Sequence, residues 1–422
     1  MIQFNALLFV FLIIFATSSV SRWTLTRTNI HHLRKFGHQV PEVFRGEIDD
    51  KTLSRMTDYT VDSSRFGSIE HLFDDLVMLT ILLSGFLPWL AGTILSYKLH
   101  FILSGLLFFA ALAAISGILN IPLSLYSTFV IEKRHGFSTI TLKLWITDLL
   151  KNLFISAILM VLLLGPLLAL IYCAEKTWWL WAWIFFAAFQ LLILWLYPVI
   201  IAPLFNKYEP IEDQELEQRI ISIMEKAGLK TKGVYQVDAG RRSKHSNAYF
   251  TGIGKTKRIV LFDTLLESHT SDEILSVLAH EIGHWKKKHI IKQLIFMEIA
   301  SFFLFYLVYR LMDWSFMYQT FGFELNIPYV GLFLITALFG PISFYFTPLV
   351  SMIFRKFERE ADDYSYRLVG TTKPLRSALI RLAKDNLANL HPHPVYAWFH
   401  YSHPPLTERI ARLQQKGSNL SS

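Results

Sequence analysis

Seven runs of apolar residues constrain this chain more than any other feature. They cover residues 4–20, 76–97, 101–130, 153–173, 178–205, 290–312 and 329–354. A helix needs about 20 residues at 1.5 Å each to cross about 30 Å of hydrocarbon, and these runs have roughly that reach. Inside a bilayer each backbone polar group must be satisfied within its own segment, so the runs predict helices and the chain is expected to be an all-α polytopic membrane protein. The composition agrees, with 53% hydrophobic and 18% charged residues and a mean hydropathy of +0.37. A soluble domain carries about 25% charged residues, so this chain has too little charge to clothe a water-facing surface of its size. Pro122 in the third run, and Pro198 with Pro203 in the fifth, predict tilted or kinked helices. Trp178, Trp179, Trp181 and Trp183 cluster at one end of the fifth run, as an interfacial belt would.

The 41 Lys and Arg against 33 Asp and Glu give a net charge of +8. In a polytopic membrane protein that excess marks cytoplasmic loops, and no nucleic-acid partner is expected. Eight basic residues from Arg22 to Arg65 separate the first two runs, and Lys133, Arg134, Lys143 and Lys151 lie between the third and fourth. The intervening loops hold Lys98 alone, then Lys176 alone, and residues 314–328 hold none. Seven spans with the amino terminus outside place every basic loop in the cytoplasm. The first run is short and ends in small residues like a signal peptide. It lacks a basic leading region, and cleavage would put the Arg-rich loop outside, so an uncleaved helix is expected.

The longest polar stretch, residues 206–289, starts with an amphipathic pattern. Leu216, Ile220, Ile223, Met224 and Ala227 share one helical face, and Gly228 follows as a stop. Residues 234–237, 247–250 and 258–262 read as strands, the last two joined by a hairpin turn at 252–257. Gly254-Lys255-Thr256 is no phosphate loop, because Tyr249 stands where that motif needs glycine.

Thr270 and Glu273 then form a capping-box pattern, opening a helix that carries His280-Glu281-Ile282-Gly283-His284. Histidines four apart lie about 40° from each other around a helix, so both imidazoles can meet one zinc ion, with Glu281 beside its water. Cys173 is the one cysteine, which excludes a multi-Cys site and leaves histidine and carboxylates as ligands. A third ligand is needed. Lys287 and Ile290 stand where the extended metzincin pattern wants Gly and His, so it lies elsewhere. Glu358 is the best candidate, with Asp362 one turn later to accept a hydrogen bond from the non-ligating nitrogen of a zinc histidine. Two spans separate His284 from Glu358, and two crossings return the chain to the same side.

With these residues in place the chain resembles the type I CAAX prenyl endopeptidases over almost its whole length. The shared features are the seven spans, Glu132-Lys133-Arg134-His135-Gly136-Phe137, Ser243-Lys244-His245-Ser246-Asn247-Ala248-Tyr249-Phe250, Arg258-Ile259-Val260-Leu261-Phe262-Asp263-Thr264-Leu265, the His280 motif with Trp285, Glu358-x-x-Ala361-Asp362, and His403-Pro404-Pro405-Leu406-x-x-Arg409. The resemblance implies seven helices enclosing an intramembrane chamber, capped by a zincin-like α+β domain. On that reading residues 1–205 carry spans one to five, 206–289 and 355–422 the two parts of the protease domain, and 290–354 spans six and seven. It implies one zinc ion per chain on His280, His284 and Glu358, with Glu281 as general base and His403 as an oxyanion donor. Asn247, Ala248 and Tyr249 would be the edge strand that pairs with an extended substrate. Arg409 would anchor the site electrostatically, with a partner that the sequence does not name.

The implied activity is removal of the last three residues from prenylated CAAX proteins, with a second cut nearer the amino terminus for some substrates. The alternative is an HtpX-type quality-control protease acting on unprenylated membrane proteins. A seven-helix receptor or transporter gives no reason for zinc-ligand chemistry on two separated segments. The short connection at 314–328 and the short carboxyl tail depart from the family pattern. The host membrane is expected to be the endoplasmic reticulum or a bacterial inner membrane, with the active site cytoplasmic. One ionisable residue sits inside a span: were the motif helix continuous with the sixth span, Glu298 would face the same side as His280 and point into the chamber.

The charge asymmetry makes a topological prediction. Cysteine labelling near Thr52, Lys255 and Ser418 should report the cytoplasmic side, and near Gln319 the opposite side; opposite sides for Lys255 and Ser418 would prevent the two halves of the site from meeting.

Overall fold

A computed structural model describes residues 1–251 and 257–418 of the chain. Among these, six helices are long and apolar enough to cross a membrane, and a bent pair makes a seventh. The first span, Ala6–Phe36, opens at Asn5, whose side chain accepts from the Leu8 N–H at 3.2 Å. The second departs from the single helix expected over 76–97. Asp50–Leu83 ends before Gly85, whose φ of +79° only glycine adopts cheaply, and Phe86–Ser96 continues at a bend of 58°. Regular helix gives way just past Pro122 and again at Pro198. π-helical turns at Ser127–Ile131 and Tyr197–Ile201 mark the two places.

The spans pack tightly at one end. Leu8, Phe11, Leu82, Leu87, Phe108, Tyr318, Phe321, Tyr329 and Leu334 form one apolar cluster. Farther along, the packing thins: the most apolar stretches of Trp178–Leu204 and His289–Met312 have none of their residues buried, and that of Leu142–Cys173 only 11%. A helix inside a solid bundle buries one face. These bury little, so most of their apolar surface is left uncovered by the rest of the described chain.

The polar pieces fold together at the opposite end. A four-stranded sheet has the order β1-β2-β4-β3, with β1 Tyr208–Pro210, β2 Thr231–Val237, β3 Ala248–Thr251 and β4 Lys257–Phe262. β1 has no counterpart among the strands read from sequence. β2 and β4 run parallel, whereas β3 pairs antiparallel with β4 through Ala248↔Leu261 and Tyr249↔Val260. The turn expected to join β3 and β4 falls on residues 252–256, outside the described residues. The helix Gln214–Lys226, capped by Asp213, lays Leu216, Ile220 and Met224 against Val234, Ile259 and Leu261 and against Leu278 and Ile282 of the motif helix. A further core gathers Phe44, Leu53 and Met56 from the first loop, Phe137 from the loop after span three, and Leu379, Ile380, Ile410 and Leu413 from the carboxyl-terminal segment.

Ion pairs fasten this body to the spans. Arg242 donates through Nε and Nη2 to both oxygens of Asp148, at 2.8 and 3.0 Å, and through Nη1 to Asn206 at 2.9 Å. Glu132, where span three emerges, accepts from Tyr59 at 2.9 Å and lies 3.3 Å from His245. Breaking a partly buried pair leaves one charge poorly compensated, so Arg242→Ala should cost about 1–3 kcal/mol, measured as a lower melting temperature in detergent. The double variant Arg242→Met with Asp148→Leu should recover most of that loss.

Candidate active site

The motif helix, Ser271–Lys286, starts as its sequence dictates. Thr270 Oγ1 accepts the Glu273 N–H at 3.4 Å, and Glu273 Oε2 accepts the Thr270 N–H at 2.8 Å. Its long partner is Thr347–Val369, the continuation of the seventh span. The two helices meet backbone to backbone at Gly283. A Cβ there would lie 2.9 Å from Ala361 Cα and 3.0 Å from Ala361 O, so only glycine permits the approach. That contact sets Glu358 opposite the two motif histidines.

Three donor groups converge within 4.8 Å of one another: His280, His284 and Glu358. His280 Nε2 is 3.1 Å from His284 Nε2 and 3.3 Å from Glu358 Oε2, and His284 Nε2 is 3.2 Å from Glu358 Oε1. Glu358 Oε2 is buried and accepts no hydrogen bond. Such an arrangement requires a positive charge at its centre, because two imidazole lone pairs and a carboxylate otherwise face each other. The donor chemistry fits a divalent cation that takes nitrogen and oxygen ligands. Burial opposes a charge on His280, yet the Asp362 and Glu358 carboxylates outweigh it and push the imidazole up to about 9. A proton and a cation therefore compete for the same lone pair.

The surrounding side chains orient this cluster. Asp362 Oδ1 lies 2.8 Å from His280 Nδ1, the position expected from sequence. Arg409, whose partner the sequence left unnamed, donates to both oxygens of Asp362, at 3.0 and 2.6 Å, and its Nη1 is 3.7 Å from Glu358 Oε2. Burial works against the guanidinium charge, but Asp362 more than restores it. His403, mostly exposed, brings Nε2 to 3.2 Å from Glu358 Oε1. Glu281 is half-buried next to His280, and its charge acts on Arg409. Ala248 and Tyr249 lie on β3, which the strand order leaves at the sheet edge, and Asn247 just precedes it, its carbonyl accepting from Phe262 N–H at 3.1 Å.

The phase argument for Glu298 does not hold. Lys288 adopts a left-handed φ of +57°, which separates the motif helix from His289–Met312 and voids any phase count across the break. The Glu298 carbonyl accepts from Trp183 Nε1 at 3.1 Å.

The two halves of the chain match two known families. Residues 29–207 match the CAAX prenyl protease N-terminal region of five membrane helices, and residues 210–416 match peptidase family M48. CAAX prenyl protease 1 of Saccharomyces cerevisiae is 36% identical over 405 residues, covering 89% of this chain and 88% of that one. The CAAX prenyl protease 1 homolog of Arabidopsis thaliana is 36% identical over 386 residues, with 88% and 89% covered, and that of Homo sapiens is 32% identical over 424 residues, with 89% of each. The chain belongs to the CAAX prenyl protease family. The crystal structure of S. mikatae Ste24p shares its fold, with a TM-score of 0.89 at 33% identity over 96% of this chain and 98% of that one. Membership makes the chain a multi-pass membrane metalloendopeptidase acting on peptide or protein substrates.

Two groups of this CAAX protease family member were not singled out from sequence. Buried Arg355 sits one turn before Glu358 and donates to the carbonyls of Trp398 and Tyr401, at 3.1 and 2.7 Å, holding the segment that leads to His403. Nothing in the sequence pairs a span-end arginine with carbonyls more than 40 residues away. His289 and Glu360 form the second group, and a histidine five places past the motif was a visible signal. Because Gly283 sets the helix spacing, Gly283→Ala should destabilise the fold by about 1–3 kcal/mol. It should also lower metal content, although residue 283 offers no ligand atom. Unchanged metal content would show that the spacing does not govern the cluster.

Proposed function

We propose that the chain is a zinc endopeptidase that trims prenylated CAAX proteins at a site on the cytoplasmic face of the endoplasmic reticulum membrane. The observation that carries this reading is the convergence of His280, His284 and Glu358, with one oxygen of Glu358 buried and accepting no hydrogen bond. Zinc is the cation that best suits two imidazoles and one carboxylate with a position left for the reaction. When bound, it supplies a Lewis acid that polarises the scissile carbonyl and acidifies water towards a pKa of about 7.

The chain's own residues do the rest. Glu281, beside the ligands without being one, takes the proton of the attacking water and passes it to the leaving amine. His403 reaches the same space and donates to the oxygen of the attacked carbonyl as negative charge develops there. Asp362, held by Arg409, fixes the His280 ring with its proton on Nδ1. The segment from Asn247 to Tyr249 turns the outer edge of β3 to an extended peptide, which would align substrate with little dependence on its side chains. The apolar surface that the spans leave uncovered suits a prenyl chain, since lipid-like groups gain about 0.8 kcal/mol per methylene on leaving water. Relatives named CAAX prenyl protease 1 from yeast, plant and human favour this substrate class and the endoplasmic reticulum over a bacterial quality-control role.

Glu281→Ala should abolish peptidase activity while leaving about one zinc per chain, because the base is not a ligand. Glu358→Ala should lower both activity and zinc, measured by atomic absorption. A full zinc complement with full activity in the Glu358 variant would refute the ligand set. Equal cleavage of a CAAX peptide with and without its prenyl group would refute the substrate class.

A further inference from the structure

His280 and His284 must both present an unprotonated Nε2 to the metal, and each must therefore carry its proton on Nδ1. For His280 the neighbouring carboxylate is direct, Asp362 at 2.8 Å. Among the described residues no carboxylate meets His284 Nδ1. Instead His284 Nδ1 lies 3.1 Å from Nδ1 of His289, and His289 Nε2 lies 3.0 Å from Glu360 Oε2. The geometry permits one neutral arrangement. Ionised Glu360 only accepts, so His289 carries its proton on Nε2; its Nδ1 is then a lone pair, and the proton between the two Nδ1 atoms belongs to His284.

The local fold explains why an intermediary is present. Glu360 stands two residues from both Glu358 and Asp362, about 200° around the helix from each, on the face turned away from the motif histidines. The left-handed turn at Lys288 brings His289 into this gap. Its ring is fully buried and stacked on Phe357, with centroids 4.2 Å apart and planes at 12°, so it is held in one orientation.

We propose that His289 and Glu360 are a positioning relay that fixes the proton of His284 on Nδ1 and so keeps its Nε2 available to zinc. The proposal rests on His284 being a ligand. The two metal histidines are then oriented by carboxylates of one helix, one directly and the other through a second imidazole.

The test is zinc affinity of the purified full-length protein, measured by competition with a chromogenic chelator. His289→Phe keeps the stacking but removes the acceptor, and should weaken zinc by about 10- to 100-fold. His289→Asn places an amide oxygen near the lost Nδ1 and should recover most of that loss, which a purely structural role would not produce. Should His289→Phe fail to fold, Glu360→Ala, at a partly exposed position, should still weaken zinc several-fold. Zinc affinity within twofold of the parent in folded His289→Phe, or in Glu360→Ala, would overturn the relay, as would an Asn variant no better than Phe. His284→Ala separates the two readings: zinc bound at parental affinity in that variant would remove the ligand assignment itself, whereas zinc lost there but kept in His289→Phe would remove the relay alone.

Discussion

A single carboxylate facing two imidazoles organises the polar half of this protein. Glu358 is buried, accepts no hydrogen bond through one oxygen and lies within 3.3 Å of both motif histidines. Such a group is costly unless a positive charge meets it, and the surrounding structure supplies one side of that requirement with Arg409 and the other with a cation site. The close approach at Gly283, the capping box at Thr270 and the clamp from Arg355 all hold the elements that make the cluster possible. Remove the carboxylate and these features lose their common purpose.

The cluster is assembled from widely separated segments. The histidines come from the stretch before span six, Glu358 and Asp362 from the end of span seven, and His403 and Arg409 from the carboxyl-terminal segment. One apolar core joins the two polar segments to each other, and a second, with the Arg242–Asp148 and Glu132–His245 pairs, joins them to the first spans and their loops. The membrane part contributes topology rather than packing: its helices return the chain to one face, and most of them bury little.

Much of this was legible in the residues, for physical reasons. Span-length apolar runs leave the backbone no option but helix, and the HExxH spacing fixes two imidazoles on one face wherever that helix sits. Asp362 was readable because it lies one turn from Glu358. What escaped depends on three-dimensional register. The bend at Gly85 had a signal in Ser84-Gly85 and Pro88, which a count of span-length apolar residues passes over. The left-handed Lys288 defeated the phase count to Glu298, since no sequence rule marks a lysine for positive φ. β1 is only three residues long, too short to show alternation. Arg355 and Glu360 read as ordinary charges on a helix past a span, and only the fold reveals what each one holds.

The two sides of the centre are tied to the bilayer unequally. Glu358 rides on Thr347–Val369, an unbroken rod that begins inside the seventh span, about 16 Å away along the axis at 1.5 Å per residue. The histidines ride on a helix uncoupled from its own span by the turn at Lys288. The carboxylate thus sits about three turns along one continuous helix, whereas the imidazoles are separated from the helix that follows them by a single residue in left-handed conformation.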